Sequence, residues 1–151
     1  MRVALSADHA GAALKAELLR RLAGASVGHD LIDLGGDGSD PHDDYPDFAR
    51  ALGEAIREGR AERGILVCGS GVGASVAANK IRGVRAAVCH DTYSAHQGVE
   101  HDDMNVLTLG SRVVGAEVAY ECALAFLGAT FSDEPRHRRR LAKVLAIEEA
   151  G

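Results

Sequence analysis

Two kinds of segment alternate along the chain, and they differ in how their apolar residues are spaced. Short apolar runs without a polar break are typical of strands buried on both faces of a parallel sheet. Longer segments with apolar residues three or four positions apart, such as Leu14, Leu18 and Leu22, predict amphipathic helices. The predicted strands cover residues 3–5, 30–34, 65–67, 84–89 and 105–109. The predicted helices cover about residues 11–24, a segment that starts at Pro46, the segment after Gly73, and residues 92–101, 118–127 and 135–149.

This regular alternation predicts a single α/β domain over residues 1–151. A five-stranded parallel sheet would lie between two helix layers, and right-handed crossovers make this three-layer fold Rossmann-like. The acidic segment 37–47 is rich in turn-forming residues and is predicted to be a loop. Ligands bind at the carboxyl ends of the strands in such sheets. The polar residues that follow the predicted strands are Asp8, His9, Cys68, His90, Asp91 and Arg112.

The stretch Cys68-Gly69-Ser70-Gly71-Val72-Gly73 leads from the third strand into a helix and allows three interpretations. The first is a tight turn beside a buried, inert cysteine. The second is a dinucleotide-binding fingerprint, G-x-G-x-x-A, with Asp91 as the ribose-binding acid, although such a fingerprint normally opens its domain. The third is an anion hole for a reaction intermediate, in which N–H groups at the helix start favour a thiolate at Cys68 that acts as base.

Composition narrows the class of protein. The chain has 151 residues, 46% of them hydrophobic, which suits one globular domain with a sizeable core. The net charge of -5 argues against nucleic acid as a partner, and no apolar run is long enough to span a membrane. Three unpaired cysteines suggest a reducing, cytoplasmic location, with Cys89 and Cys122 as small core residues. The seven histidines lack zinc-site spacing, so no metal site is predicted.

Three further polar clusters each have a functional and a structural interpretation. Asp8-His9 is an acid–base pair, or a helix-capping aspartate with a solvated neighbour. His101 stands beside acidic residues that would stabilise its imidazolium, or it is a solvated helix end. Arg136 and Arg140 share one helical face, where they repel unless an anion such as phosphate lies between them. The alternative for these two arginines is a solvated basic face.

Six motifs occur in order along the chain: Ser6-Ala7-Asp8-His9-Ala10-Gly11, Asp44-Tyr45-Pro46, Cys68-Gly69-Ser70-Gly71-Val72-Gly73, Ala77-Ala78-Asn79-Lys80, Gly110-Ser111-Arg112 and Arg136-His137-x-x-Arg140. Together they resemble the type B ribose-5-phosphate isomerase family, which also holds the galactose-6-phosphate isomerase subunits. Each motif alone is weak, but the ensemble is specific and extends over essentially the whole chain.

The resemblance implies an aldose–ketose isomerase that interconverts ribose 5-phosphate and ribulose 5-phosphate through a cis-enediolate, without a metal or another cofactor. Cys68 would move the proton between C1 and C2, and Asp8 and His101 would assist ring opening. The enediolate oxygens would be held by Ser70 and the loop residues Gly69, Gly71, Val72 and Gly73. The remaining substrate contacts would come from Tyr45, which lines the pocket, and from the phosphate ligands His9, Arg112, Arg136 and Arg140.

The resemblance also implies a homodimer, or a dimer of dimers, in which two chains share each active site. His101 and Arg112 would then come from the partner chain. Asp102, expected at the substrate, stands where the family commonly has asparagine, and a carboxylate cannot donate a hydrogen bond unless it is protonated. Some family members place a glutamate base in the helix that follows the glycine-rich turn. Ala74-Ser75 offers no such glutamate, so the chain matches better those members that use a cysteine as base.

Alternatives remain open at this point. The substrate could be another phosphorylated sugar, namely allose 6-phosphate, a tetrulose phosphate or galactose 6-phosphate. The chain could also be a nucleotide-binding module that uses residues 69–74, or a non-catalytic subunit of a paired isomerase.

Overall fold

The computed structural model describes residues 1–25 and 28–151 and shows strands that alternate with helices. The strands are β1 (Arg2–Ala7), β2 (Asp30–Asp33), β3 (Arg63–Cys68), β4 (Ala86–Val88) and β5 (Val106–Gly110). The helices are α1 (Ala12–Gly24), α2 (Tyr45–Arg57), α3 (Val72–Ala78), α4 (Thr92–Asp102), α5 (Ala116–Gly128) and α6 (Pro135–Ala150). All strand pairs are parallel, and the order β2-β1-β3-β5-β4 puts β3 at the centre. The predicted α/β fold is confirmed.

Two apolar cores, one on each face of the sheet, explain why residues 65–67 of β3 are all apolar. Ile65 and Val67 point into one core, and Leu66 and Cys68 point into the other, because successive side chains of a strand alternate between faces. The first core is completed by α1, α4 and α5, with Leu18 and Phe126 fully buried. The second is completed by α2 and α3, with Leu52, Ala74 and Ala78. This arrangement produces the three layers.

The bounds of all five strands differ by one or two residues from the sequence prediction, and backbone hydrogen bonding gives the reason for β1 and β4. β1 continues through Ser6 and Ala7, which pair with Leu66 and Val67 of β3, even though Ser6 interrupts the apolar run. β4 is shorter than predicted because the N–H of Val84 closes a turn onto the carbonyl of Ile81, at 3.0 Å, instead of joining the sheet.

The edge strand β4 is paired on its outer side by one side chain. The amide of Asn79 donates to the carbonyl of Ala86 and accepts from the N–H of the same residue, both at 2.8 Å. A side chain that satisfies an edge strand in this way discourages the addition of another strand. The motif around Asn79 therefore has a structural role at the sheet edge.

Helix α6 lies outside the two layers and contacts α4. His137 is its buried residue, whereas Val144 and Ile147 are 50% and 74% exposed. A groove of ≈ 1020 Å³, lined by apolar residues of α6 and by residues near β4, runs along this helix. None of the described helices combines the length and the apolarity that a membrane span requires.

Candidate active site

A cavity of ≈ 290 Å³ opens beyond the carboxyl ends of β1 and β3, the edge where α/β sheets bind ligands. β3 ends at Cys68 and leads into the glycine loop, defined here as residues 69–71. β1 ends one residue before Asp8, and Tyr45 is the first residue of α2. The sheet order therefore brings together residues that are distant in sequence. The cavity is lined by Asp8, Tyr45, Cys68, Gly69, Ser70, Gly73, Arg112 and Val113.

Cys68 is buried but lines this cavity. The N–H of Gly71 donates to its Sγ over 3.1 Å, a contact that a thiolate accepts more strongly than a thiol. The N–H of Val72 donates to the Ser70 hydroxyl over 3.2 Å, while the Val72 side chain is exposed. The glycine loop thus directs one N–H at the candidate base and holds the Ser70 side chain at the start of α3.

Two glycines are required by the shape of this turn. Gly71 has a φ of +81°, in the left-handed region that L side chains rarely adopt, and this conformation starts α3. A Cβ at Gly73 would lie only 2.7 Å from Tyr45 Cζ. The absence of a side chain at Gly73 therefore allows the Tyr45 ring to pack against the backbone of α3.

Arg112 lies in the cavity of its own chain, so the prediction that the partner chain supplies it is wrong. Because β5 is the neighbour of β3, the segment after β5 lies against the glycine loop. Ser111 N–H donates to the carbonyl of Cys68 at 2.8 Å, and Arg112 N–H donates to that of Gly69 at 3.0 Å. These backbone contacts place the guanidinium beside Gly69, where a Cβ would lie 3.3 Å from Nη1.

Asp8 combines features of both interpretations proposed for it. Its Oδ1 accepts a hydrogen bond from the N–H of Gly11 over 3.0 Å and closes the turn that leads into α1. The same buried side chain lines the cavity together with Cys68. Asp8 therefore has a structural role in the turn before α1. The role of Asp8 in ring opening stays a prediction.

His9 is held by a residue that was predicted only as part of a loop. Oδ1 of Asp43 accepts the backbone N–H of His9 at 2.9 Å and lies 2.6 Å from the ring Nδ1. This hydrogen bond raises the pKa of His9. Desolvation opposes the rise, the charges of Asp43 and Asp8 add to it, and the charge of Arg112 opposes it. His9 and Arg112, two predicted phosphate ligands, therefore lie within electrostatic reach of each other.

His101 belongs to a second cavity, of ≈ 550 Å³, on the surface of α4. Its Nδ1 is 2.9 Å from the amide nitrogen of Gln97, and its ring stacks on His137 with 4.1 Å between the centroids. Among the described residues, none lines both this cavity and the Cys68 cavity. A single chain therefore does not bring His101 to Cys68.

The arginines of α6 lie with His101 rather than with Cys68. Burial lowers the pKa of His137, the charges of His101, Arg136 and Arg140 lower it further, and that of Glu134 opposes them, so both arginines lie within electrostatic reach of the ring that stacks on His101. Arg136 also pairs with Glu134 at 3.0 Å. The predicted phosphate ligands are thus divided between two regions of the chain.

Asp102 is exposed and lines the groove along α6, away from the His101 cavity. This position does not bring it to either of the two cavities within one chain. Its predicted contact with the substrate stays a prediction.

The structure also tests the competing interpretations of other polar residues. The carboxylate of Asp91 caps α4 by accepting the Ser94 N–H at 2.7 Å, and this hydrogen bond lowers the Asp91 pKa. This helix cap accounts for an aspartate at position 91 without a ribose ligand. Cys89 and Cys122 are buried in the first core, as predicted, and burial raises the pKa of Cys89 to about 11.

Several residues of this region were not identified from the sequence. Asp43 is one of many acidic residues in its loop, and Val113 lines the Cys68 cavity at the turn that its N–H closes onto the carbonyl of Gly110, at 3.0 Å. Gln97 does precede His101 by one helical turn, a spacing that could have indicated their contact. The stacking of His137 on His101 joins two helices and has no local signal.

Comparison with known proteins identifies the relatives of the chain. Residues 3–144 match the model of a protein family described as ribose/galactose isomerase. The chain is 43% identical over 148 residues to ribose-5-phosphate isomerase B of Escherichia coli, covering 98% of this chain and 97% of that protein. It is 40% identical over 131 residues to D-erythrulose-4-phosphate isomerase of Pectobacterium atrosepticum, covering 87% and 85% of the two chains.

Solved structures show the same likeness. The type B ribose 5-phosphate isomerase of Trypanosoma cruzi superposes with a TM-score of 0.95, at 40% identity over 100% of both chains.

Proposed function

Since the chain belongs to the ribose/galactose isomerase family and is an aldose–ketose isomerase of phosphorylated sugars, we propose that it interconverts ribose 5-phosphate and ribulose 5-phosphate with Cys68 as the base. The observation that carries this proposal is the Cys68 sulfur itself. It lies at the end of the central strand, in the wall of a cavity, and accepts an N–H from the glycine loop.

The proposed reaction transfers one proton between two carbons. The Cys68 thiolate removes the proton from C2 of the open-chain aldose, the C–H electron pair forms the C1–C2 double bond, and the carbonyl oxygen takes the negative charge. Return of the proton to C1, with transfer of a proton from O2 to O1, gives the ketose. Backbone N–H groups and the Ser70 hydroxyl stabilise the charge that develops on the oxygens, the step in which such donors act most strongly.

Substrate binding divides into a sugar part and a phosphate part. Tyr45 and the backbone of Gly69, Gly71, Val72 and Gly73 contact the sugar, and Asp8 with His101 opens the ring. The phosphate is bound by His9, Arg112, Arg136 and Arg140. A dianionic phosphate suits such a cluster because guanidinium groups bind phosphate oxygens in a bidentate fashion.

We further propose that the complete site forms between two chains. Within one chain the Cys68 cavity is lined by Asp8 and Arg112, whereas His101 lines a different cavity. Arg136 and Arg140 act electrostatically on His137, whose ring stacks on His101. A homodimer in which the His101 region of one chain faces the Cys68 cavity of the other reunites all of the proposed ligands. The exposed apolar side chains of α6, including Val144 and Ile147, are suited to an interface of this kind.

A cytoplasmic location follows from the same chemistry. Cys68 must be reduced to act as a base, and the three cysteines are all free and buried. A reducing compartment maintains that state.

The test is an assay of the purified protein on matched aldose phosphates of different length: erythrose 4-phosphate, ribose 5-phosphate, allose 6-phosphate and galactose 6-phosphate. We expect the highest kcat/KM for ribose 5-phosphate. A higher value for the tetrose would instead assign the chain to the activity named for the Pectobacterium relative. No turnover of any of them would refute the proposed function.

A further inference from the structure

His9 and Asp43 form a contact that goes beyond an ordinary surface ion pair. One carboxylate oxygen accepts both the backbone N–H of His9, at 2.9 Å, and the ring at Nδ1, at 2.6 Å. The Asp43 side chain is 14% exposed and that of His9 is 34% exposed. The histidine is thus fixed at its backbone and at its ring by the same atom, which restricts the orientation of the imidazole.

The chemistry of this contact determines where the ring carries its proton. A carboxylate at neutral pH only accepts hydrogen bonds, so Nδ1 must be the protonated nitrogen. A neutral imidazole has one N–H, which leaves Nε2 as a lone-pair acceptor that repels phosphate oxygens. In this arrangement, Nε2 can donate to a phosphate only when the ring is the doubly protonated imidazolium.

We propose that Asp43 is a positioning residue that holds His9 as the imidazolium which donates from Nε2 to the substrate phosphate. This inference rests on the proposed function, because His9 is one of the residues that the proposed function assigns to phosphate binding, and the inference specifies its charge state. Asp43 itself does not contact the substrate. It acts through His9 and makes phosphate binding dependent on pH.

The charges around His9 agree with this role. Asp43, on the loop before α2, and Asp8, after β1, favour the imidazolium, and Arg112, after β5, opposes it. The net effect raises the pKa of His9, with the hydrogen bond to Asp43 as the largest cause. The second pKa of a phosphate ester is about 6. A raised His9 pKa therefore widens the pH range in which a dianionic phosphate meets a cationic His9.

The variant Asp43→Asn tests this inference with little change in shape. The amide oxygen of the asparagine still accepts the His9 backbone N–H, and this hydrogen bond keeps the oxygen directed at the His9 ring. Both hydrogen bonds therefore persist, and only the negative charge is lost. Asp40→Asn is the matched control, because Asp40 lies in the same loop and its Oδ1 accepts a backbone N–H from His42 instead. Both variants change the net charge equally.

The measurement is kcat and KM for the sugar phosphate between pH 6 and 9, together with the inhibition constant of inorganic phosphate. For the wild type we expect KM to rise on the alkaline side as His9 loses its proton. In Asp43→Asn this rise begins at lower pH. At pH values between the midpoints of the two KM profiles, KM and the inhibition constant of Asp43→Asn are about tenfold higher than those of the wild type. The value of kcat changes less. Asp40→Asn follows the wild-type profile.

A second measurement separates the inference from the function. The His9 ring is titrated by NMR without substrate, its signal identified by its loss in His9→Gln, and we expect a lower midpoint in Asp43→Asn. If the wild type is active but Asp43→Asn has the same His9 midpoint and KM profile as the wild type, the inference is wrong and the proposed function stands. If the wild type isomerises no sugar phosphate, the function fails, and the inference fails with it.

Discussion

Replacing Cys68 by alanine tests the proposed mechanism most directly. The side chain is 4% exposed, and its sulfur accepts one N–H, from Gly71. The substitution removes the base and leaves that N–H without its acceptor, while the Cβ remains in place. Loss of one acid–base group typically lowers kcat by ~10²–10⁴-fold, and each factor of ten corresponds to about 1.4 kcal/mol in the activation barrier. We expect a loss in this range, with binding of the sugar phosphate retained.

Two further variants separate chemistry from packing. Cys68→Ser keeps an acceptor for the Gly71 N–H, but a hydroxyl is not ionised at neutral pH, so its kcat should fall nearly as far as that of the alanine variant. Cys89→Ala is the matched control, because Cys89 is also 4% exposed and lies in the other core. It should lower the free energy of unfolding by roughly 1 kcal/mol and leave kcat close to the wild-type value.

The assay follows aldose disappearance at saturating substrate, and equilibrium binding of the sugar phosphate is measured in parallel. Iodoacetamide should inactivate the wild type, substrate should slow that inactivation, and Cys68→Ala should not react at this position. Turnover of Cys68→Ala at close to the wild-type rate would refute the assignment of the base, although the family assignment would stand. A loss of activity equal to that of Cys89→Ala would indicate a packing effect instead.

Other variants test the remaining parts of the site. Arg140→Ala should raise KM and weaken inhibition by inorganic phosphate, since a charge-assisted contact contributes ~1.5–3 kcal/mol. Arg139→Ala is the control. Equal KM values for the two variants would assign Arg140 to a solvated face. His101→Asn should slow turnover of the cyclic aldose more than that of the open-chain ketose, and an equal loss with a pre-opened aldose would exclude ring opening as its role. Gly73→Ala places a Cβ 2.7 Å from Tyr45 Cζ, so KM should rise through displacement of that ring, and an unchanged KM would show that the ring does not contact substrate.

The order and type of the elements were predictable because local patterns determine them. The apolar residues 65–67 indicate a strand buried on both faces, and the two cores confirm this. The glycine loop was recognisable for a similar reason, since a turn with φ of +81° at residue 71 favours glycine in any context. Strand bounds were less predictable, because pairing with β3 extends β1 through Ser6, whatever the polarity of that side chain.

The grouping of the polar residues, in contrast, was decided by tertiary structure. Sequence motifs placed Cys68, Arg112 and His101 in one site, but strand order puts Arg112 beside Cys68 in the same chain and leaves His101 at a separate cavity. The contact between Asp43 and His9 joins residues 34 positions apart and has no local pattern. A sequence by itself determines which residues can do chemistry, because that depends on side-chain type. Which of them act together depends on distances that only the packing of the sheet and helices sets.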